Sequence, residues 1–505
     1  MAIRISGMTS GLDTEAIVSA MVSGYKAKKD KLVKAQTKLS WKQDAYKAAN
    51  TKVYNLYTSI SSLRYTSAYA LKKTTVSDTS KATVSASSNA VNGTQKLKVN
   101  KLAQAGYLTG GQLDEGVTGS TKLSELKLGV PGADDDTATY SGSGTITVTA
   151  NGKTTDISVD ENTTIDSFVE KLNEAGVKAN YDANNRRIFI SSKDSGKAND
   201  FELTGDTNAL TAFGLVERAG RGTTAKRLTG EDAEIELNGA KFTSTSNNFS
   251  VNGLAITATG ITATGEEISI TTATDVDGIY DKIKDFLTQY NEVVNYLQTQ
   301  YNADSAKGYE PLTDEEKSEM TDKQVEKWEQ KVKDALLRRD STIGNIMNVM
   351  STSMAKSYEI NGKSYSLSNF GINTLGYLYA SANERNAYHI DGDADDTYTG
   401  ANKDKLKAAI AEDPDTVIEL LKDVTDGLYK SLDKQMKSSS LRSAYTIYND
   451  KEMKSEYSDY TKTIKTWETR IADMENRYYK QFAAMEKALS NMQANSSSLS
   501  GLLGQ

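Results

Sequence analysis

The sequence predicts an α+β multidomain fold, with terminal coiled-coil helices and a helical bundle flanking a β-rich middle. Three observations predict it. Only three prolines occur in 505 residues, at Pro131, Pro311 and Pro414, so no proline breaks a helix before the first or after the last of them. Apolar side chains recur at 3–4 spacing towards both ends of the chain. Between about residues 75 and 275 the pattern changes to alternation, with Asn-Gly pairs at 92–93, 151–152, 238–239 and 252–253. Such pairs suit the positive φ angles of tight hairpin turns.

At the N-terminal end, Gly7 and Gly11 make a loose start and Asp13 is the expected N-cap of a helix. Leu12 and Ile17 stand at hydrophobic-staple spacing around it. A heptad follows, with its first seam position at Tyr25, Leu32, Leu39, Tyr46, Val53 and Ile60. The second falls at Lys28, Ala35, Lys42, Ala49, Leu56 and Leu63, so cations weaken the early half of the seam. A helix over 13–65 would be ~75 Å long, and no single globular domain buries that length. It has to pack on other helices, in this chain or in another. The C-terminal end mirrors it: Ile464, Trp467, Ile471, Met474 and Tyr478 keep the spacing, and Phe482, Met485, Leu489 and Met492 continue it after a four-residue stutter. Spacing leaves open whether the seam closes within the chain or is completed by other subunits. The last fifteen residues, with Ser496, Ser497 and Ser498, are expected to fray.

Charge differs between the two ends. From Tyr25 to Lys52 nine lysines face two carboxylates, Asp30 and Asp44, whereas the signs nearly balance from Lys451 to Lys487. A lysine-rich helix face is ordinarily a solvated one; it also suits docking on an acidic protein or, less well because its apolar face carries alanine and tyrosine, on anionic lipid. Within the middle, Thr163 is the expected cap of a helix that buries Ile165, Phe168, Val169 and Leu172 and ends at Gly176, with strands 177–182 and 186–192 after it. Helices return with the stripe Ile283, Leu287, Tyr290, Val294, Leu297 and Tyr301. An acidic helix over 313–338, a shorter one after Asp340, a hairpin at Asn361-Gly362, and helices over 403–412 and 414–436 follow.

Composition removes whole classes of chemistry. Only 37% of residues are hydrophobic, the mean hydropathy is −0.54, and the net charge of −7 disfavours nucleic acid as a partner. Cysteine is absent, which excludes disulfides, thiol nucleophiles and thiolate-bound zinc. The one histidine, His389, excludes a multi-histidine metal centre and is expected in a solvated loop. No apolar run approaches the ~20 residues of a membrane span, and no cleavable hydrophobic segment follows Arg4. Gly152-Lys153-Thr154 and Gly362-Lys363-Ser364 imitate the ends of phosphate loops, but the upstream glycine is replaced by Thr147 and Ser357. Asp391, Asp393 and Asp395 have the spacing that opens a calcium loop, yet Asp396 and Asn402 stand where glycine and glutamate are required, so a solvated acidic loop is expected. No catalytic, cofactor or metal site emerges, and the chain does not read as an enzyme.

Several segments then carry a resemblance. Ser6-Gly7-Met8-Thr9-Ser10-Gly11-Leu12-Asp13-Thr14, followed by Ile17, Val18, Met21 and Val22, resembles the opening of the flagellar filament cap proteins, the hook-associated protein 2 or FliD family. Trp41-Lys42-Gln43-Asp44-Ala45-Tyr46 resembles that family's first long helix. The stretch Ile165–Val177 with Tyr181 and Arg187-Ile188-Phe189-Ile190 is similar to a short repeat shared by flagellins and hook proteins. Leu367, Phe370-Gly371-Ile372-Asn373-Thr374, Gly376, Asp404-Lys405-Leu406, Ala409, Asp413-Pro414 and Val417 resemble its C-terminal signature. Two departures stand out: Ser23-Gly24-Tyr25-Lys26 where the family often has Glu and Pro, and an acidic insertion over 378–402.

The resemblance implies a structural protein that forms a homo-oligomeric ring at the distal tip of the flagellar filament and promotes flagellin insertion. It implies export through the flagellar type III channel without a cleaved signal, to an extracellular place on the bacterial flagellum. The implied partners are further copies of the chain, flagellin, the hook-associated junction proteins and an export chaperone, with no nucleic acid, membrane insertion or cofactor. The implied domains are a leg of 1–42 with 451–505, a bundle of 43–72 with 275–450 that includes a hairpin, a head domain of 73–132 with 233–274, and an inserted outer head domain of 133–232. Leg contacts with the filament are expected from Tyr25, Lys28, Leu32, Leu39, Lys42, Ile464, Trp467, Ile471, Met474 and Tyr478. Gly11, Leu12, Asp13, Thr14, Gly371 and Ile372 are the motif positions. The alternatives are a surface adhesin that binds host glycans or mucin through the threonine-rich middle, and a flagellin variant, against which the opening motif argues.

Overall fold

The structure, a computed structural model, describes residues 10–128, 137–216 and 225–503. Two compact units result: one from the two ends of the chain, up to Tyr69 and from Val276 onward, the other from Ala70–Asp275. The first helix, α1 (Thr14–Ser59), begins where the Asp13 carboxylate accepts the N–H of Ala16 at 2.9 Å. It stops at Ser59 rather than at 65. Thr58, Ser59 and Ser61 turn their hydroxyls onto carbonyls three residues back and offer the backbone an alternative to the helical ladder.

The β-rich unit contains two cores. In the first, a five-stranded antiparallel sheet runs in the order Lys72–Val76, Ile268–Thr274, Gly93–Lys101, Ala233–Leu237, Ala240–Ser244. A three-stranded sheet of Asn248–Val251, Leu254–Ala258 and Ala82–Ala86 accompanies it. Leu97, Val99, Ile235, Phe249, Ile256, Ile268 and Ile270 are buried there. Their period of two follows from the alternation of side chains across a strand.

The second core lies among Lys226–Leu228, Ala105–Thr109, Arg187–Ser195 and Lys178–Asp182 in one sheet and Lys153–Asp160, Ser143–Ala150 and Phe201–Gly205 in another. Helices α2 (Ile165–Glu174) and α3 (Thr207–Ala212) complete it. The rings of Phe168 and Phe213 stack at its centre, 4.1 Å apart and nearly parallel. Leu108, Leu113, Leu123 and Leu126 belong to this second core, so the chain enters it soon after Lys101. The expected divide at 132–133 lies outside the described residues, as does Pro131.

Two local expectations need correction. Thr164, not Thr163, caps α2 and accepts from the N–H of Ser167; Thr163 instead accepts from the N–H of Asp160 and closes the preceding turn. Asn92-Gly93 is not a hairpin, because the neighbouring strand Ala82–Ala86 pairs with Leu254–Ala258 and only the glycine of the pair has a positive φ. The other four Asn-Gly pairs, at 151, 238, 252 and 361, have both residues at positive φ, as such a turn requires.

The remaining helices are α4 (Val276–Tyr301), α5 (Asp314–Ser318), α6 (Asp322–Asp334), α7 (Ser341–Met354), α8 (Gly376–Tyr379), α9 (Lys405–Glu412), α10 (Pro414–Gln435) and α11 (Asp450–Leu503). The expected acidic helix over 313–338 is two helices. Thr313 with Glu316 and Thr321 with Gln324 form successive capping boxes, and the second restarts the helix. Two small hairpins, Tyr358–Ile360 with Lys363–Tyr365 and Ile372–Thr374 with Tyr388–Ile390, sit among the helices. Ile283, Leu287, Tyr290 and Leu297 are buried on α4, which packs with α7, α9 and α1. α11 stays helical through Leu503 instead of fraying, with exposed side chains from Asn491 to Ser500.

Replacing Phe168 by Ala should cost about 3–5 kcal/mol, because a fully buried ring stacked on Phe213 leaves a cavity that the surrounding sheets cannot fill. Urea unfolding of the full chain, followed by circular dichroism, should show a transition moved to lower denaturant.

Candidate functional site

The two long terminal helices pair with each other. Ser10 bonds to Glu486, Lys26 Nζ lies 3.5 Å from Glu475, and Gln36 Nε2 donates to Thr461 Oγ1 at 2.6 Å. Partner numbers fall on α11 as they rise on α1, so the pair is antiparallel. The rings of Tyr25 and Trp467 meet at 6.2 Å, and Lys28 Nζ stands 5.8 Å from the Trp467 ring centre, within cation–π range.

This pair is thinly packed. On α1, Val18 and Val22 are buried, and no further side chain is until Tyr46. On α11, after Met453 only Ile464 and Ile471 are buried among the described residues. Leu32, Leu39, Trp467, Met474 and Tyr478 are half-buried and Tyr25 is 37% exposed. The lysines at the second heptad position give the reason: a cation cannot enter a dry seam without a partner. The structure thus brings together the expected leg residues from Tyr25 to Leu39 with Ile464 to Tyr478.

Lys42 has a different setting. Its Nζ lies 3.0 Å from Asp340 Oδ2, the oxygen that also accepts the Tyr46 hydroxyl at 2.6 Å, while Oδ1 caps α7 through the N–H groups of Thr342 and Ile343. Burial works to raise the pKa of Asp340. The hydrogen bonds from Tyr46 and Lys42 outweigh it and hold the carboxyl below its ordinary value. Burial, then the same carboxylate, push the Tyr46 hydroxyl well above the usual tyrosine range. Lys42 therefore anchors α1 to the bundle.

A tyrosine ladder continues this anchoring, and heptad reasoning missed it. Tyr46 stacks on Tyr448 at 4.9 Å and Tyr57 on Tyr429 at 4.4 Å, with Arg64 held between the Tyr429 face and Asp426. Asn50 grips the segment before α11, donating to the Tyr445 carbonyl and accepting the N–H of Ile447 at 2.9 Å. Tyr445 itself sits at φ +59°, a strained value for a bulky residue. The available signal was compositional: 27 tyrosines against nine phenylalanines.

The motif positions have local tasks. Gly11 turns the chain at φ +66°, Leu12 is 45% exposed, Asp13 caps α1 and Thr14 is buried. Ser6–Thr9 lie outside the described residues. Gly371 sits at φ +75°, a conformation side chains rarely adopt, and a Cβ there would crowd Lys405 and Asp391; Ile372 is buried.

Both phosphate-loop imitations are the far sides of Asn-Gly hairpins. In the acidic insertion, Lys284 Nζ bridges Asp393 and Asp395 at 2.7 and 2.6 Å, and Asn402 donates to Asp391. These bonds raise the pKa of Lys284, so a lysine ammonium occupies the place a cation would take. Among the described residues no group of acidic or histidine side chains could hold a metal ion, and no helix is long and apolar enough to cross a membrane. His389 is not solvated: it lies on the strand Tyr388–Ile390, 13% exposed, with Nδ1 2.6 Å from Asp396 and its ring edge-on to Tyr398. The insertion folds back on α4 and covers it.

The chain thus comprises a helical unit with a thinly packed terminal helix pair and a β-rich unit of antiparallel sheets. Comparison with known proteins supplies the family. The model for the flagellar hook-associated protein 2 C-terminus matches residues 230–494, and that for the N-terminus matches residues 10–106. The flagellar hook-associated protein 2 of Halalkalibacterium halodurans is 25% identical over 98% of this chain and 99% of its own. That of Thermotoga maritima is 27% identical over 69% of this chain and 53% of its own. The D1-D2-D3 domains of the Escherichia coli flagellar cap protein FliD share the fold, with a TM-score of 0.52 and 18% identity over 83% of this chain and 99% of that one. The chain belongs to the flagellar hook-associated protein 2 (FliD) family of flagellar cap proteins, which are structural and not enzymes.

Replacing Lys42 by Met should destabilise the bundle by about 1–3 kcal/mol, because Asp340 loses one partner of a largely buried network. Asp340 titrates below its unfolded value of 3.8, so its contribution is present above that pH and is lost as pH falls through the lower folded value. The gap in Tm between wild type and variant, followed by circular dichroism, should therefore narrow as the pH is taken below the ordinary aspartate range.

Proposed function

We propose that the chain caps the distal end of the flagellar filament as a ring of identical subunits and promotes insertion of flagellin beneath it. One observation carries this reading: the long run between Val22 and Tyr46 in which no α1 side chain is buried, although Tyr25, Leu32 and Leu39 occupy the seam. An apolar stripe of that length, half covered within its own chain, is suited to completion by a neighbouring helix. Each such side chain is worth ~1.5–3 kcal/mol when fully buried. Linked contacts in a ring act together, so weak individual contacts retain the assembly while each can release in turn.

Lys28 fits that reversibility. Its ammonium rests on the Trp467 face, where an exposed cation–π contact contributes only about 0.5–1 kcal/mol. On this reading the two cores of the β-rich unit are the two head domains, with the crossings near Lys101 and Leu228. Flagellin, the junction proteins and an export chaperone are the further partners, and type III export to the filament tip is the route and destination.

Two measurements test the proposal. Removing 1–40 and 451–505 should leave a soluble protein that no longer supports elongation of purified flagellin on filament ends; normal elongation would remove the terminal helices from the mechanism. Replacing Lys28 by Leu should close the seam more tightly and slow elongation, while capping persists. An unchanged elongation rate would remove Lys28 from the account.

A further inference from the structure

We infer that neighbouring copies of this chain join through their terminal helix pairs, a lysine stripe on α1 of one copy lying along an acidic groove beside α11 of the next. The inference rests on the ring reading and names one contact within it. The groove has a volume of about 540 Å³. Leu32, Leu441 and Tyr460 form its floor, and Glu452, Glu456 and Asp459 form its rim, with no lysine or arginine in the lining. Leu441 is 44% exposed.

The three carboxylates stand at i, i+4 and i+7 on α11 and therefore share one helix face, the outer two about 10.5 Å apart along the axis. Glu456 has no ion pair among the described residues, Glu452 accepts only from Asn449, and Asp459 meets Lys462 in an exposed pair of little strength.

The complementary surface lies on α1. Lys26, Lys34 and Lys42 are each paired, to Glu475, Glu316 and Asp340. Lys31 and Lys38 are exposed, and no ion pair engages them among the described residues. They too are seven residues apart, which repeats the ~10.5 Å spacing of the rim. Their aliphatic stems would cover the apolar floor while the ammonium groups reach the carboxylates.

Lys31 and Lys38 point about 100–120° around α1 from Leu32, so stripe and groove face different ways. Each copy thus offers its stripe to one neighbour and its groove to the other. Such a heterologous contact closes into a ring or runs on as a helix.

The test uses the full chain and two charge-reversed variants, E452K/E456K/D459K and K31E/K38E, in sedimentation velocity over a range of concentrations at low salt. Each variant alone should need at least about tenfold more protein to assemble, because like charges now meet. An equimolar mixture should recover assembly. Reversed groove then meets reversed stripe, native groove meets native stripe, and the two proteins alternate; recovery also shows that both are folded. Variants that assemble as wild type does, or a mixture that stays apart, overturn the contact. Rings of both variants by electron microscopy would overturn it and leave the ring reading standing. A wild-type chain that stays monomeric throughout removes the ring reading and the contact with it.

Discussion

The antiparallel pairing of α1 with α11 is the constraint on which the rest depends. It joins residues at opposite ends of the chain: Ser10 and Glu486 are 476 positions apart and hydrogen-bonded. Loop closure costs grow only slowly with length, so a long segment can be set between paired ends at modest entropic expense. The inserted β-rich unit is suited to this, because its first and last strands pair with each other, Lys72 opposite Thr274. Its entry and exit are neighbours, and the helices that precede and follow it need not be pulled apart.

Along that pair, packing changes in kind. From Lys42 onward, α1 and the turn after it are held by buried apolar side chains and by polar groups with definite partners: Asp340 with Tyr46 and Lys42, Asp426 with Arg64, Asn50 with the backbone at Tyr445 and Ile447. Buried polar networks of this sort fix one arrangement, since any other would strand a donor or a charge. Between Val22 and Lys42, contacts are half-exposed rings, aliphatic chains and surface ion pairs, each worth little alone. A firmly placed bundle therefore continues into a helix pair that is only loosely packed.

Much of this was legible from residue spacing. The hairpin turns at Asn151, Asn238, Asn252 and Asn361 follow from local φ preferences, and the Asp13 cap and the α4 stripe from helix periodicity. The weak early seam was visible in Lys28. Errors fell where a distant contact decides. Lys42 looked like a second seam cation until Asp340, far along the chain, supplied its partner. His389 looked solvated because its cover comes from Asp396 and Tyr398, whose approach depends on how the insertion folds back. Asp393 and Asp395 have calcium-loop spacing, but the cation between them is Lys284 from α4.

By itself, then, the sequence determined the order of helical and β-rich segments and the absence of thiol and multi-histidine chemistry, because these reside in composition and in local periodicity, while its motifs carried the resemblance to the family. Tertiary structure alone decided which lysines are neutralised and which remain free, where the chain passes from one β core to the other, and how far the terminal seam is closed. Those outcomes depend on which groups meet across hundreds of residues, and charge and burial have no fixed value until the partner is in place.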